Sequence, residues 1–398
     1  MASRANELSS LSSVVAPALL TVREGKTVVT PRTTGDVAAI ARYAHENHLA
    51  IEIMGSGTKR AWGNQVDSDL LLDMTKLQGV REHVWQDLTA TVAAGSTWSF
   101  VADALAQQSQ RIALDPLWPE AATVGGIVAT NDSGALRSRY GSLRDLIIGM
   151  TIVLADGTIA RSGGKVVKNV AGYDLHKLMT GAFGTLGIIV EVTFRLHPSP
   201  KAFTTWTTHS DDVAPLERLR HRLADSSIPF EALQLRTSSD GFALDVALAS
   251  LPGCLNDLSR ALHQLATPLA LTESDTAVWS LRQNTFQRDR AMAKLTASPD
   301  GVAPLTAEIR RLHGHAVAQQ CGTITANLPA EPGLIASLRE QAHAHGGSLM
   351  LLHWPGEMDS SRPAVWGSSP SSLALMQQIK QNFDSHRILN PGRFLEGI

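Results

Sequence analysis

The chain has 398 residues, 43% of them hydrophobic and 18% charged, with a formal net charge of −2. That length holds two or three domains of roughly 100–200 residues each, and the composition is that of a globular protein with an ordinary core. The charge balance gives no electrostatic footprint for nucleic acid or an anionic membrane surface. The longest apolar run, Leu146 to Ala155, is far short of the roughly 20 residues that a membrane-crossing helix needs.

The predicted elements begin after a polar, serine-rich lead-in over residues 1–25 with one short apolar patch, which lacks the basic start, clear apolar core and cleavage site of a signal peptide. Thr27–Thr30 reads as a short strand. Thr33 or Thr34 can cap a helix whose apolar face is Val37, Ile40, Ala41 and Ala44. Ile51–Met54 is strand-like and runs into a glycine-rich loop, Gly55–Gly63. Leu70–Met74 and Thr89–Ala94 read as strands, and Trp98–Gln108 as a helix with Phe100, Val101 and Leu105 inward. Ile147–Leu154 and Thr158–Arg161 flank Asp156-Gly157, a hairpin-turn dipeptide. A short helix with Leu175, Leu178 and Met179 inward precedes a strand over 188–196. After Pro198-Ser199-Pro200 glycine thins out and longer helical patterns appear, such as Leu216–Leu223 and Leu373–Phe383. A domain boundary near 200 follows.

Cys254 and Cys321 are the only cysteines. They are far apart and have no partners at metal spacing, so thiolates build neither a zinc site nor an iron–sulfur cluster here. No disulfide framework is expected, which suits a reducing, cytoplasmic compartment.

Three glycine-rich segments share the first half of the chain. In Met54-Gly-Ser-Gly-Thr-Lys-Arg-Ala-Trp-Gly63, successive backbone N–H groups can form a nest for anionic oxygens. Ser56 and Thr58 add hydroxyls, and Lys59 and Arg60 add charge, which suits a diphosphate. The Gly-Lys-Ser/Thr ending of a Walker A loop is missing. A plain polar hairpin loop would carry the same residues. In Thr123-Val-Gly-Gly-Ile-Val-Ala-Thr-Asn-Asp-Ser-Gly134, followed by Arg139-Tyr140-Gly141, Thr123 can cap a helix. Gly125, Gly126 and Ala129 leave a flat surface on which a planar ring can lie; a helix packed tightly on a sheet is the alternative. The third segment runs from Gly163 to Pro198, with glycines at 163, 164, 172, 181, 184 and 187. Glycine lets a ligand approach backbone where a Cβ would collide, although a connection between core elements could use the same residues.

These three segments in this order resemble the FAD-binding domain of the vanillyl-alcohol oxidase / p-cresol methylhydroxylase superfamily. The run Gly163–Leu175, with Phe383-Asp384 and Ile388-Leu-Asn-Pro-Gly-Arg393, is similar more specifically to the family of FAD-binding E subunits of bacterial glycolate oxidase. The resemblance covers roughly residues 26–200 and 380–395. It implies an α+β architecture: a two-subdomain FAD-binding fold of the p-cresol methylhydroxylase (PCMH/VAO) type over 26–200, and an α+β cap over 201–380. Residues 381–398 would return to the FAD domain.

The resemblance also assigns roles. Gly55, Ser56, Gly57, Thr58 and Lys59 would hold the pyrophosphate. Thr123, Gly125, Gly126, Ala129, Thr130, Ser133 and Tyr140 would line the ribityl chain and ring system. Gly187, Ile188 and Val190 would contact the adenine side, and Asn390 and Arg393 would approach from the C-terminus. Arg393 could equally be a surface arginine in a terminal tail.

The loop 54–63 lacks the histidine that tethers flavin covalently in many superfamily members, so non-covalent FAD is expected. The His-x-Gly-Asp-Gly-Asn-x-His metal motif of related D-2-hydroxy-acid dehydrogenases is also missing. His313, His315, His343, His345 and His353 have other spacings, and no metal is expected. Trp279-Ser-Leu-Arg282 resembles an element whose arginine grips a substrate carboxylate, although a helix-surface arginine would read alike. Arg282 and His353 are the catalytic candidates. The implied function is an FAD subunit oxidising a small 2-hydroxy acid, beside a second flavoprotein subunit and an iron–sulfur subunit, in the cytoplasm or held at the inner membrane by those partners. A flavin relay or assembly subunit without turnover, or a free-standing alcohol oxidase, remains open.

Overall fold

The computed structural model describes residues 11–23, 25–164, 173–356 and 362–398. The chain divides into two compact units. The first comprises Met1–Asp132, Ser142–Pro198 and Ser368–Ile398, and the second Ser133–Gly141 and Ser199–Gly367. The crossing near 200 therefore falls at Pro198/Ser199. Two boundaries differ from expectation. Residues 133–141 group with the second unit, and the return to the first begins at Ser368 instead of 381. Helix Leu373–Phe383 belongs to the first unit because its Lys380 is buried there, donating to the Thr185 carbonyl at 2.8 Å.

Among the described residues the first unit has a four-stranded sheet, a five-stranded sheet and the short antiparallel pair Gln110–Arg111 with His197–Pro198. In the four-stranded one the order is Leu20–Arg23, Lys26–Val29, Leu70–Asp73, Ile51–Met54. Its first pair is antiparallel and the other two pairs are parallel. The lead-in supplies a strand, and its apolar side chains Leu11, Val15 and Leu19 join the core. Helix Thr34–Glu46 starts on a capping box in which Thr33 Oγ1 accepts from Asp36 N and Asp36 accepts from Thr33 N, a cap worth about 1 kcal/mol. Val37, Ile40, Ala41 and Ala44 bury against Ile51, Leu70, Leu72, Ile188 and Val190.

The second sheet is antiparallel, in the order Val80–Val84, Thr89–Ala93, Ile188–Arg195, Ile147–Val153, Ile159–Gly163. Asp156-Gly157 makes the expected turn, with Thr158 N donating to Asp156 Oδ1 at 2.8 Å. Gly157 has φ +83°, and a Cβ there would lie 2.5 Å from the Ala38 carbonyl. Helix Trp98–Ala106 buries Trp98, Val101 and Leu105, while Phe100 is 51% exposed. At 100° per residue Phe100 points away from that face. In the short helix Leu175–Met179 the buried pair is His176 and Met179, while Leu175 and Leu178 are only half-buried.

The second unit is built on an eight-stranded antiparallel sheet. Its order is Thr272–Ser274, Ala202–Ser210, Gly241–Ser250, Phe230–Ser238, His315–Gln319, Thr323–Leu328, Ala291–Thr296, Ser348–His353. Alternate residues such as Leu233, Leu235, Leu244, Val246, Ile324 and Leu351 pack with helices Val213–Ala224, Pro252–Ala266, Val302–Arg311 and Pro332–Ala344 in one apolar cluster. The intervening residues form a polar layer. There Asp245, fully buried, accepts from Arg236 Nε at 2.8 Å, Gln234 Nε2 at 2.8 Å and Thr207 Oγ1 at 2.8 Å.

Candidate functional site

One pocket of about 730 Å³, mouth included, lies within the first unit. All three glycine-rich segments reach it, as does the C-terminal stretch. From the expected residues it gathers Gly55, Ser56, Gly57, Thr58 and Lys59, then Thr123, Gly125, Gly126, Ala129 and Thr130, then Gly187, and finally Asn390 and Arg393.

The first loop leaves strand Ile51–Met54 and turns at Gly57, φ +80°. Arg60 N donates back to Gly57 O, and Trp62 N to Lys59 O, each at 3.1 Å. The N–H groups of Ser56, Gly57 and Thr58 donate to no other described residue, which leaves backbone donors for an anion. The Ser56 hydroxyl donates to the Ala121 carbonyl. The second segment forms helix Val124–Thr130, capped by Thr123, whose Oγ1 accepts from Gly126 N at 3.3 Å.

The glycines fall into two kinds. A Cβ on Gly55 would meet Thr123 Oγ1 at 2.1 Å, and one on Gly184 would meet Asn390 Nδ2 at 2.7 Å. At these positions the walls touch. On Gly57 the first neighbour is Met54 Sδ at 3.6 Å, and on Gly126 it is Thr123 Oγ1 at 3.1 Å, with nothing else within 4 Å. At Gly57 the space is open and the φ of +80° is what favours glycine, while at Gly126 Thr123 alone stands close; both line the pocket.

The charges are also sorted. Lys59 Nζ is buried 3.4 Å from Asp132, donates to the Leu117 carbonyl at 3.3 Å, and lies 5.6 and 5.4 Å from the rings of Trp62 and Trp118. Lys59 thus lines the pocket with its ammonium held by Asp132 and the Leu117 carbonyl. Arg60 makes a bidentate pair with Glu52 at 2.6 and 2.8 Å. Arg393 is different. It is 6% exposed and donates from Nη2 to the carbonyls of Lys59 at 3.3 Å and Arg60 at 3.0 Å, and no described carboxylate pairs with it. Burial pushes its pKa down, with the nearby Glu52 charge opposing. Arg393 is thus a wall of the pocket and not a tail-surface arginine. Asn390, at φ +41°, acts as a strut: Oδ1 accepts from Ile53 N at 2.8 Å, and Nδ2 donates to Phe183 O at 2.7 Å.

Four expected cofactor residues lie elsewhere. Ile188 and Val190 point into the first unit's core, and strand alternation puts Ile189 on the pocket instead. Ser133 and Tyr140 belong to the second unit, where Ser133 O accepts from Arg282 Nη1 at 2.8 Å and from Gln319 Nε2 at 3.1 Å. Tyr140 donates its hydroxyl to Glu231 at 2.9 Å. Phe183, Met74 and Ala94 also line the pocket and were not foreseen. The Lys165–Gly172 part of the Gly163–Leu175 run lies outside the described residues.

The two catalytic candidates do not meet through any hydrogen bond. Arg282, 7% exposed on helix Leu281–Asn284, holds the Ser133 carbonyl. His353 Nε2 lies 3.0 Å from the Arg288 carbonyl. A carbonyl only accepts, so Nε2 carries the proton and Nδ1 is the basic nitrogen. Among the described residues, no three His, Cys, Asp or Glu side chains group as a metal site, and no helix is long and apolar enough to cross a membrane.

Residues 26–163 match the family described as FAD binding domain. Over 212 residues the chain is 32% identical to "D-lactate dehydrogenase [cytochrome] 1, mitochondrial" of Saccharomyces cerevisiae, covering 52% of this chain and 36% of that protein. Over 151 residues it is 36% identical to "Glycolate oxidase subunit GlcE" of Escherichia coli, covering 38% of this chain and 43% of the relative. The matched stretch thus spans less than half the length of either curated relative. Among solved structures, p-cresol methylhydroxylase with substrate bound superposes with a TM-score of 0.78 at 14% identity, over 99% of this chain and 97% of that one. The fold is therefore of the p-cresol methylhydroxylase type, and the cofactor is FAD. The pocket fits that group: it offers backbone donors at Ser56–Thr58, open space over Gly57 and Gly126, and a cation without a carboxylate partner at Arg393.

Proposed function

We propose that this chain is a non-covalent FAD subunit of a complex that oxidises a small 2-hydroxy acid, with glycolate the first candidate. In this reading it works beside a second flavoprotein subunit and an iron–sulfur subunit, in the cytoplasm or held at the inner membrane by those partners. One observation carries the reading: a single pocket combines uncommitted backbone N–H groups, glycines that face open space, and the buried Arg393 guanidinium. The likeness to a D-lactate dehydrogenase and a glycolate oxidase subunit supports the substrate class.

FAD supplies two-electron redox chemistry when bound. The chain's own part is to bind and orient. Ser56, Gly57 and Thr58 offer main-chain donors to the diphosphate, and Arg393 holds positive charge beside the cofactor. In the second unit Arg282 and His353 are the candidates to hold the substrate carboxylate and to accept the hydroxyl proton.

A second reading is favoured by the Arg282 bond to the Ser133 carbonyl. A guanidinium already tied to main chain suits a structural role, and the chain would then relay electrons without turning over substrate itself. Anaerobic addition of glycolate or D-lactate to the FAD-loaded chain separates the two. Bleaching of the flavin band supports turnover by this chain. A band that bleaches only after the partner flavoprotein is added supports the relay. Fast reoxidation of the isolated chain by O₂ would point to a free-standing oxidase and against both.

A further inference from the structure

We propose that Lys380, which does not line the pocket, is a positioning residue that sets how tightly FAD is held by clamping two pocket walls together. The proposal rests on the pocket being the FAD site. Lys380 lies near the end of helix Leu373–Phe383 and is fully buried. Its ammonium has three N–H groups and finds three acceptors: the Thr185 carbonyl at 2.8 Å, the Leu389 carbonyl at 3.1 Å and Asp384 Oδ2 at 2.6 Å.

The two carbonyls identify what is clamped. Thr185 follows Gly184, Leu389 precedes Asn390, and both Gly184 and Asn390 line the pocket. These walls meet so closely that a Cβ on Gly184 would lie 2.7 Å from Asn390 Nδ2. Asp384 extends the clamp by accepting from Ile388 N at 3.0 Å and Leu389 N at 2.8 Å. The chain then runs beside strand Ile51–Met54, with Asn390 N donating to Ile51 O at 2.9 Å. From there Asn390 ties Ile53 to Phe183, and Arg393 ties the segment to the loop at Lys59 and Arg60. A single buried ammonium thus fixes the register of the segment that carries both C-terminal pocket residues.

Burial disfavours the charged form of Lys380, and Asp384 opposes that effect. Buried ion pairs seldom stabilise more than well-packed apolar side chains, and their best-attested use is to fix geometry. That is the role assigned here.

The test is FAD titration of the full chain, read by flavin fluorescence and visible circular dichroism, for wild type, Lys380→Met and Asp384→Asn. The expected result is a dissociation constant raised at least about ten-fold in both variants, within the usual range of coupling between sites, with an altered dichroism of the bound flavin. A merely stabilising role would lower the unfolding temperature of free and loaded protein alike; an unchanged dissociation constant and spectrum would overturn the proposal. Should neither variant fold, linkage gives the same answer in wild type. Saturating FAD should slow tryptic cleavage after Arg387 and Arg393 at least about ten-fold, and equal rates with and without FAD overturn the clamp. Wild type that takes up no FAD overturns the reading of the pocket, and the clamp with it. Wild type that binds while the variants bind equally well overturns the clamp alone.

Discussion

The pocket of the first unit and the polar layer of the second unit's sheet handle buried charge in opposite ways. In the sheet, Asp245 is surrounded by Arg236, Gln234 and Thr207, and Glu231 takes Tyr140 and Arg139. In the pocket, no described carboxylate pairs with Arg393, and three consecutive main-chain N–H groups donate to no described residue. Arg393 is held by two carbonyls, and the N–H groups at the exposed Ser56 and half-buried Gly57 and Thr58 are open to an anionic ligand. The contrast marks the difference between a polar network that holds a structure and one that waits for a ligand.

The largest expected effects lie on the committed side. Asp245→Ala would leave the half-buried Arg236 without its carboxylate, and Lys59→Met would leave the buried Asp132, which also accepts from Leu117 N, without its ammonium. Removing one member of a buried pair destabilises by about 3–5 kcal/mol. Thermal or urea unfolding of the cofactor-free protein measures this. FAD affinity of whatever folds should change far less for Lys59→Met, because its ammonium already serves Asp132. A Lys59→Met protein that is as stable as wild type but cannot take up FAD would reverse the assignment and make Lys59 a cofactor ligand.

Next come the uncommitted positions. Gly57→Val and Gly126→Val place a branched side chain at the pocket, the first with added backbone strain at φ +80°, and overfilling a tight site costs about 1–3 kcal/mol. Arg393→Met removes charge-assisted bonds worth about 1.5–3 kcal/mol. All three should weaken FAD binding by roughly 10- to 100-fold, read from the ratio of flavin to protein absorbance after gel filtration. Gly55→Val is the control on the other side of the comparison. Its Cβ meets Thr123, so it should disturb the fold with or without cofactor.

Much of this was legible in the sequence, and the failures have a common cause. Strands, the Thr33 cap, the Asp156-Gly157 turn and the convergence of three glycine segments follow from local spacing. What local spacing does not carry is which partner a charge will find. Lys59 and Arg60 read as a basic loop, yet Asp132 and Glu52 claim them. Arg282 reads as a free fork, yet a main-chain carbonyl from residue 133 takes one of its donors. Ile188 and Val190 miss by one residue of phase: a strand with one face in the core must turn Ile189 the other way. Lys380 and Asp384 stand four apart on a helix end, a visible spacing, but nothing local said that the pair would be buried.

The smallest predicted effect concerns a third way of handling a buried group, which is to keep it neutral. His176 is 4% exposed, and its Nδ1 lies 3.3 Å from Ser162 Oγ. Burial pushes its pKa below the ordinary 6.5, Asp174 opposes that, and Lys177 adds to it. The folded state therefore binds its proton less readily than the unfolded chain. Between the lowered value and 6.5 the unfolded chain carries more protons, so stability is lost as pH falls through that window. His176→Gln, which is polar but does not titrate, should remove this part of the acid sensitivity. Unfolding temperatures at pH 7.5 and 5.5 should drop less in the variant than in wild type. Equal drops would mean that the ring is charged in the folded protein, and that the first unit holds an imidazolium where the comparison requires a neutral ring.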